Sequence, residues 1–201
     1  MINDVAKQII DVFNTDLFVE TGFFRGSTTA VVRSWFKDLS ILEVEINPLY
    51  CQYGKQIFRN DPNTEIVLSD SKEFLRNNVS KFSEKNNPMF YLDAHWDPNN
   101  WPLRDEITSI CKLDSPIIII DDFKTPNEDG SPSKDHGYDS YLGVDCDKDY
   151  ILDLIKPHTD FVLYAKKPTI DGQGCGIIFI NRNYDEIKSN LNLSDFIVEK
   201  I

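Results

Sequence analysis

The sequence lacks any apolar run long enough to cross a membrane and has no excess of positive charge. Its longest aliphatic run is Ile117–Ile120, whereas a membrane helix needs roughly 20 apolar residues. The 201 residues include 21 lysines and arginines against 33 aspartates and glutamates, which gives a formal charge of −12. The field of such a chain repels phosphate. We therefore expect neither a membrane nor a nucleic acid as a partner.

Cysteine is scarce, and no internal repeat or low-complexity tract is present. The four cysteines are scattered without a CxxC or CxxH pair, so we expect reduced thiols. Asp4 and Asp11 interrupt the apolar stretch that a signal peptide would need, so we expect a cytoplasmic protein. The length suits one domain over residues 1–201 that buries roughly 70% of its unfolded surface.

Strand-like and helix-like segments alternate along the chain. The predicted strands are Asp16–Glu20, Leu39–Glu45, Thr64–Leu68, Met89–Asp93, Pro116–Asp121, Phe161–Lys166 and Gly176–Ile180. The predicted helices are Val5–Phe13, within an N-terminal helical region 1–14, and Ser27–Phe36, Pro48–Phe58, Ser71–Lys81, Leu103–Cys111 and Lys148–Ile155. This alternation predicts an α/β fold with a doubly wound, mostly parallel sheet of seven strands. The last two strands, joined by a loop rich in glycine, are predicted to close the sheet as an antiparallel hairpin.

An acidic segment follows the central strand. Residues 121–149 contain nine acids and three lysines, which is half of the net charge of the chain. A solvated loop explains most of its length. Its position at the end of a central strand makes residues 123–149 a candidate lid over an active site.

The first strand runs into the sequence ETGFFRGST, in which Gly22 and Gly26 permit a tight turn into a helix. The N–H groups at that helix start could face a ligand. Glu20 disfavours a pyrophosphate there and favours an ammonium group instead. Phe24 fills the place of the middle glycine of a dinucleotide-binding G-x-G-x-x-G motif, so we exclude that motif.

Acidic residues end the next four strands. Glu45 ends the second strand, where an acid commonly accepts hydrogen bonds from ribose, although a solvated carboxylate is the simpler explanation. Asp70 and Ser71 follow the third strand and could either contact an adenine or cap the next helix.

Asp93, Asp121 and Asp122 end neighbouring strands and should converge at one edge of the sheet. Unpaired, these carboxylates would repel one another, and a hard divalent cation such as Mg²⁺ or Ca²⁺ would relieve the repulsion. The alternative is that one of these aspartates caps a helix and the other two face water. His95 lies two residues beyond Asp93 and could be a metal ligand, a general base or a packed side chain.

In order and spacing, VETGFFRGST, EVEIN, YLDAHW and IIIIDDF resemble the class I S-adenosylmethionine-dependent methyltransferases. Within that class, the motifs are similar to the metal-dependent O-methyltransferases of the macrocin O-methyltransferase type, which modify sugars. The resemblance spans residues 16–123. Trp96 stands where the catechol-type relatives carry a basic lysine.

The resemblance implies a set of site residues and ligands. S-adenosylmethionine would be bound by Glu20, Thr21, Gly22, Gly26, Ser27, Thr28, Glu45, Ile46, Asp70 and Ser71. A divalent metal, which we expect to be Mg²⁺, would be held by Asp93, Asp121 and Asp122. Asp93 or His95 would act as the catalytic base.

The predicted function is therefore O-methylation of a hydroxyl on a small molecule or a sugar unit, by a protein that could form a homo-oligomer. A methyltransferase-like module that binds the cofactor without turnover is the alternative. Hydrolysis of a phosphate ester is a weaker one, because no phosphate-cradling loop accompanies the acids.

Overall fold

A computed structural model describes residues 4–94 and 101–201 of the chain. The helices in these ranges are α1 Asp4–Phe13, α2 Ser27–Trp35, α3 Pro48–Ile57, α4 Ser71–Phe82, α5 Leu103–Ile110, α6 Lys148–Ile155 and α7 Tyr184–Asn190. The strands are β1 Leu17–Thr21, β2 Ser40–Glu45, β3 Thr64–Leu68, β4 Met89–Leu92, β5 Ile117–Asp121, β6 Ser140–Tyr141, β7 Val144–Asp145, β8 Phe161–Ala165, β9 Cys175–Phe179 and β10 Phe196–Lys200.

Eight of the described strands form one sheet in the order β10-β8-β9-β5-β4-β1-β2-β3. Strands β1 to β5 pair in parallel. Strand β9 lies antiparallel between β5 and β8, and β10 pairs antiparallel with β8. The predicted α/β class, the doubly wound parallel sheet and the closing antiparallel hairpin are confirmed.

The predicted number of seven strands is one too few. Strand β10 has the sequence FIVEK, whose apolar run is only three residues long and follows the short 3₁₀ turn Leu193–Asp195. It forms because an edge of the sheet was open beside β8, a tertiary cause that the local sequence does not show. Helix α7 was also missed; it is short, and the Asn183 side chain caps it by accepting from the Glu186 N–H.

Hydrophobic cores cover both faces of the sheet, and β5 contributes to each of them. Ile117 and Ile119 pack in the core beneath α1, α2 and α7, whereas Ile118 and Ile120 pack in the core beneath α4, α5 and α6. All four side chains are at most 1% exposed. The expectation that this strand is covered on both sides is confirmed.

Side-chain caps fix two helix starts at the carboxyl edge of the sheet. The Asn47 side chain accepts from the Leu49 N–H at 2.9 Å, just before Pro48 opens α3. Asp70 accepts from the Lys72 N–H at 3.0 Å at the start of α4. Such caps satisfy N–H groups that have no partner within the helix.

Much of the acidic segment is folded against the C-terminal hairpin. Within the segment, Lys124 pairs with Asp145 of β7 at 2.5 Å. Gly137 donates its N–H to the Gly172 carbonyl oxygen and accepts from the Gly174 N–H, both at 2.8 Å. The segment is thus joined to the β8–β9 loop, and its role as a lid stays a prediction.

The four cysteines form no disulfide, as expected. A helix suited to spanning a membrane is absent from the described ranges, since none combines the required length with an apolar composition.

Replacing Ile118 with alanine should lower the free energy of unfolding by about 2–5 kcal/mol, because the change leaves a cavity in a strand that is covered on both faces. Urea denaturation measures the loss. Ile57→Ala is the matched control, because Ile57 is 44% exposed and its change should stay within about 0.5 kcal/mol. Equal losses of unfolding free energy at the two positions would contradict the burial of β5 on both faces.

Candidate functional site

The candidate site lies where the strand order reverses, between β1 and β4. From β1 the sheet extends through β2 and β3 on one side, and through β4 and β5 on the other. Open α/β sheets bind ligands outside the carboxyl ends of the strands at such a reversal. The Asp93 N–H donates to the Thr21 carbonyl oxygen at 3.1 Å, so the ends of β4 and β1 remain paired up to this edge.

A pocket of about 540 Å³ opens at the reversal. Its lining residues are Gly22, Phe24, Glu45, Asn47, Tyr50 and Asp93. Gly22, Glu45 and Asp93 were predicted as site residues and are brought together here. The sequence analysis did not predict Phe24, Asn47 and Tyr50 as lining residues. Asn47 and Tyr50 could have been predicted, because they lie at the start of a helix that begins at this edge.

Gly22 allows the two strand ends to approach closely. Its φ is +89°, and a Cβ atom at this position would collide with the backbone carbonyl group of Asp93. Any side chain is therefore excluded by both the conformation and the space. The glycine exposes backbone to the pocket where a side chain would otherwise stand.

Gly26 has a different role from Gly22. It takes φ +73° at the start of α2, and a Cβ atom there would collide with the ring of Phe23. Phe23 is 2% exposed and packs beneath the turn. Gly26, the exposed Ser27 and the buried Thr28 stand outside the six residues that line the pocket.

Glu45 connects the two turns that border the pocket. One carboxylate oxygen accepts from the Phe24 N–H at 2.8 Å and the other accepts from the Asn47 N–H at 2.6 Å. The side chain is 5% exposed. Each oxygen has a further lone pair, so the carboxylate can still accept a hydrogen bond from a ligand.

Glu20 lies in β1 outside the pocket lining, where it pairs with Glu43 of β2 in the sheet register. Both side chains are almost fully buried, and the Thr29 hydroxyl donates to Glu20 at 3.1 Å. Burial, and then the neighbouring Glu43, raises the pKa of Glu20 well above its usual value. Burial raises the pKa of Glu43 to about 8. The pair therefore holds a proton at neutral pH and carries less than its formal charge.

The three predicted metal ligands are near one another at the edge. Burial, then Asp121, Glu20 and Asp122 in that order, raises the pKa of Asp93 well above its usual value. Burial and Asp121 raise the pKa of Asp122 to about 7. Asp121 is 2% exposed and lies beside the hydroxyl of Tyr91.

The proximity of these aspartates does not amount to a formed metal centre. Within residues 4–94 and 101–201, no group of three or more histidine, cysteine, aspartate or glutamate side chains is placed to hold one ion. His95, the predicted base or ligand, and Trp96 lie outside the described residues. The metal set therefore stays a prediction.

The end of β3 is arranged for helix capping. Asp70 caps α4, and Ser71 is buried at its first position. An adenine contact for Asp70 and Ser71 stays a prediction. Ile46, which follows β2, is 48% exposed, and its predicted contact with the cofactor stays a prediction as well.

Glu106 on α5 is a buried acid that the sequence analysis missed. It lies beside the hydroxyls of Ser71 and Thr21, which favour its charged form, but burial outweighs them and raises its pKa to about 7. The helical spacing could have indicated its burial, since position 106 falls on the same face as Leu103, Ile107 and Ile110.

No protein-family model and no curated protein matches the chain. Solved structures do match its fold. An O-methyltransferase from Bacillus cereus, in complex with S-adenosylhomocysteine, is 16% identical with a TM-score of 0.59, over 90% of this chain and 83% of that one. The O-methyltransferase TomG from Streptomyces achromogenes, involved in tomaymycin synthesis and in complex with S-adenosylmethionine, is 12% identical with a TM-score of 0.58, over 90% and 82%.

A spermidine synthase from Thermotoga maritima also matches, at 15% identity and a TM-score of 0.54. The match covers 90% of this chain and 59% of the synthase chain. The protein thus has the Rossmann-like fold of the class I S-adenosylmethionine-dependent methyltransferases, a fold that also occurs in this synthase. At these identities the likeness concerns the fold, and chemistry has to be argued from the site.

The buried acids should make stability fall as pH rises. A folded-state pKa of about 7 for Glu106 exceeds the ordinary value near 4.5, so its contribution is complete below pH 4.5 and is lost as pH rises through 7. In Glu106→Gln the contribution of Glu106 to this pH dependence should be absent. Between pH 5 and pH 8 the free energy of unfolding of the variant should therefore rise relative to that of the wild type, by on the order of 2–3 kcal/mol. Urea denaturation across that range measures the difference.

The matched control for this measurement is Glu84→Gln, at an exposed position. Its stability should follow the wild-type curve at every pH. A Glu106→Gln protein that also follows the wild-type curve would show that Glu106 is ionised in the folded state throughout.

Proposed function

We propose that the protein is an S-adenosylmethionine-dependent O-methyltransferase that acts on a hydroxyl of a small molecule or a sugar unit. The observation that carries the proposal is the pocket at the strand reversal, where backbone at Gly22, the Glu45 carboxylate and Asp93 face one space of about 540 Å³. Two solved structures with this fold are O-methyltransferases bound to S-adenosylmethionine or S-adenosylhomocysteine, which supports the choice of cofactor.

The pocket offers separate partners for the parts of the cofactor. Glu45 ends β2 beside Gly22, and its remaining lone pairs could accept from the ribose hydroxyls. Gly22 would let the methionine portion lie against the backbone. Glu20 would act from beneath, through the field of the Glu20–Glu43 pair, because it does not line the pocket.

Methyl transfer requires an oxygen nucleophile and an acceptor for its proton. The hydroxyl oxygen attacks the methyl carbon, the bond from that carbon to sulfur breaks, and the hydroxyl proton leaves to a base. Asp93 lines the pocket and in its ionised form can accept this proton. His95 is the other predicted base. Alignment of the two reactants in the pocket would supply much of the acceleration.

A divalent metal requirement is a finer part of the proposal. It is supported by the crowding of Asp93, Asp121 and Asp122, whose mutual repulsion a cation would relieve. The described side chains do not gather three ligands around one point, so no step above passes through a metal. A cytoplasmic location and assembly into a homo-oligomer remain predictions from the sequence.

Calorimetric titration with S-adenosylmethionine should show binding, and a panel of sugars and small hydroxylated molecules should include a methylated product. Gly22→Ala should weaken cofactor binding about ten-fold or more, because its Cβ atom collides with the Asp93 backbone. Gly130→Ala is the matched control, since Gly130 also has a positive φ but open space around it.

Three results would separate the candidate functions. Binding with turnover supports the enzyme, and binding without turnover across the panel supports the cofactor-binding module. Absence of cofactor binding by the wild type would remove both.

Addition of Mg²⁺ to metal-free protein should raise its melting temperature and its methyl-transfer rate. Asp121→Asn should abolish both effects while S-adenosylmethionine still binds, because Asp121 is outside the pocket lining. Asp135→Asn, at an exposed position of the acidic segment and outside the predicted ligand set, is the control. A wild-type enzyme fully active in a chelator would contradict the metal requirement.

A further inference from the structure

A second groove, of about 480 Å³, is bordered by α1, by the end of α2 and by the loop between β8 and β9. Among the described residues, none lines both this groove and the candidate cofactor pocket. The loop ends beside the candidate site, because the Phe123 N–H donates to the Gly174 carbonyl oxygen at 3.1 Å and Cys175 opens β9 opposite Asp121. This border of the groove therefore lies at the same edge of the sheet as the candidate site.

Half of the groove lining is apolar. Val5, Trp35, Pro168 and Ile170 supply this part. The half-buried Trp35 ring meets the Phe36 ring edge to face, with ring centroids 6.4 Å apart and planes at 84°. Ile170 is 69% exposed although it is a large apolar residue. The groove thus offers open apolar surface next to an aromatic ring that a neighbour holds in place.

The other half of the lining is polar and has no partner within the protein. It consists of Asp4, Gln8, Lys167 and Asp195. Over residues 4–94 and 101–201, the side chains of these four residues form neither a hydrogen bond nor an ion pair. The two carboxylates accept hydrogen bonds, the ammonium group donates them, and the amide does both. All of these functions are available to a ligand.

The two halves together restrict the class of ligand. An anion would face two carboxylates and a single ammonium group, and a wholly apolar molecule would remove four polar side chains from water without giving them partners. A sugar ring avoids both costs. Its C–H face packs on aromatic and aliphatic side chains, and its hydroxyls both donate and accept at the rim of the ring. An apolar base with a few polar groups around it is also the usual composition of a small-molecule site.

We propose that this groove binds a sugar ring and serves as a second subsite for an acceptor of two or more sugar units. One unit would pack on Trp35 and Ile170 while its hydroxyls meet the polar side chains of the groove. A neighbouring unit would extend past the β8–β9 loop towards the cofactor pocket. This inference rests on the proposed function for the role of the bound glycan, and the binding of the sugar itself requires no cofactor.

Binding is tested on the full chain by saturation-transfer NMR with four separate probes: cellotriose, maltotriose, xylotriose and chitotriose. At least one of them should receive saturation from the protein. Trp35→Ala should weaken its binding about ten-fold or more, because the stacking surface is lost. Ile170→Asp should weaken it about five-fold, and its exposed position keeps the test valid if Trp35→Ala does not fold.

Leu142→Asp is the matched control for Ile170→Asp. Leu142 is also a large apolar residue, 85% exposed, and it stands outside the groove lining. Its replacement should leave saccharide binding unchanged. S-adenosylmethionine should bind all three variants as it binds the wild type, because none of the changed residues lines the cofactor pocket.

The role as a subsite is tested by methyl transfer to the trisaccharide that binds. In Ile170→Asp the KM for this trisaccharide should rise about five-fold while the KM for S-adenosylmethionine stays the same. An unchanged KM for the trisaccharide would overturn the role as a subsite.

Two binding results would overturn the saccharide assignment. One is the absence of saturation transfer to all four trisaccharides, and the other is transfer that Trp35→Ala and Ile170→Asp both leave unchanged. Either result leaves the proposed function intact if S-adenosylmethionine binds and another acceptor is methylated. Saccharide binding at the groove by a protein that does not bind S-adenosylmethionine would instead overturn the proposed function and leave the sugar site standing.

Discussion

The close approach of β1 and β4 at Gly22 is the constraint on which the site depends. The absence of a side chain at Gly22 lets the backbone of Asp93 pass beside it, and the two strands then end at one edge. Pairing of β1 with β2 brings Glu45 to the same edge, where its carboxylate holds the turns of Phe24 and Asn47. The shape of the pocket and its acidic lining both follow from this arrangement of backbone.

Negative charge is concentrated around this edge and in the sheet beneath it. Glu20 and Glu43 share a buried environment, and Asp93 and Asp121 face similar crowding above them. Buried acids cost folding free energy unless they are protonated or paired. Their concentration at the strand reversal is typical of a site that binds a ligand.

The sequence predicted the features that repeat along the chain or that a local pattern determines. The run Ile117–Ile120 predicted a strand covered on both faces, and the acids that end β2 and β4 were placed at the pocket. Edge strand β10 was missed because its three apolar residues form only a short pattern, which its pairing with β8 completes. The depth of Glu20 and the burial of Glu106 depend on what packs above each residue, which sequence spacing alone does not determine.

The order of the strands leaves β3 and β10 at the two margins of the sheet. Each carries charge there: Glu65 is exposed on β3, and Lys200 is exposed on β10 next to Glu199. Charged side chains on margin strands oppose pairing with a strand from another molecule, because the incoming chain would have to cover them. Growth of the sheet into fibres or through strand exchange is thereby disfavoured.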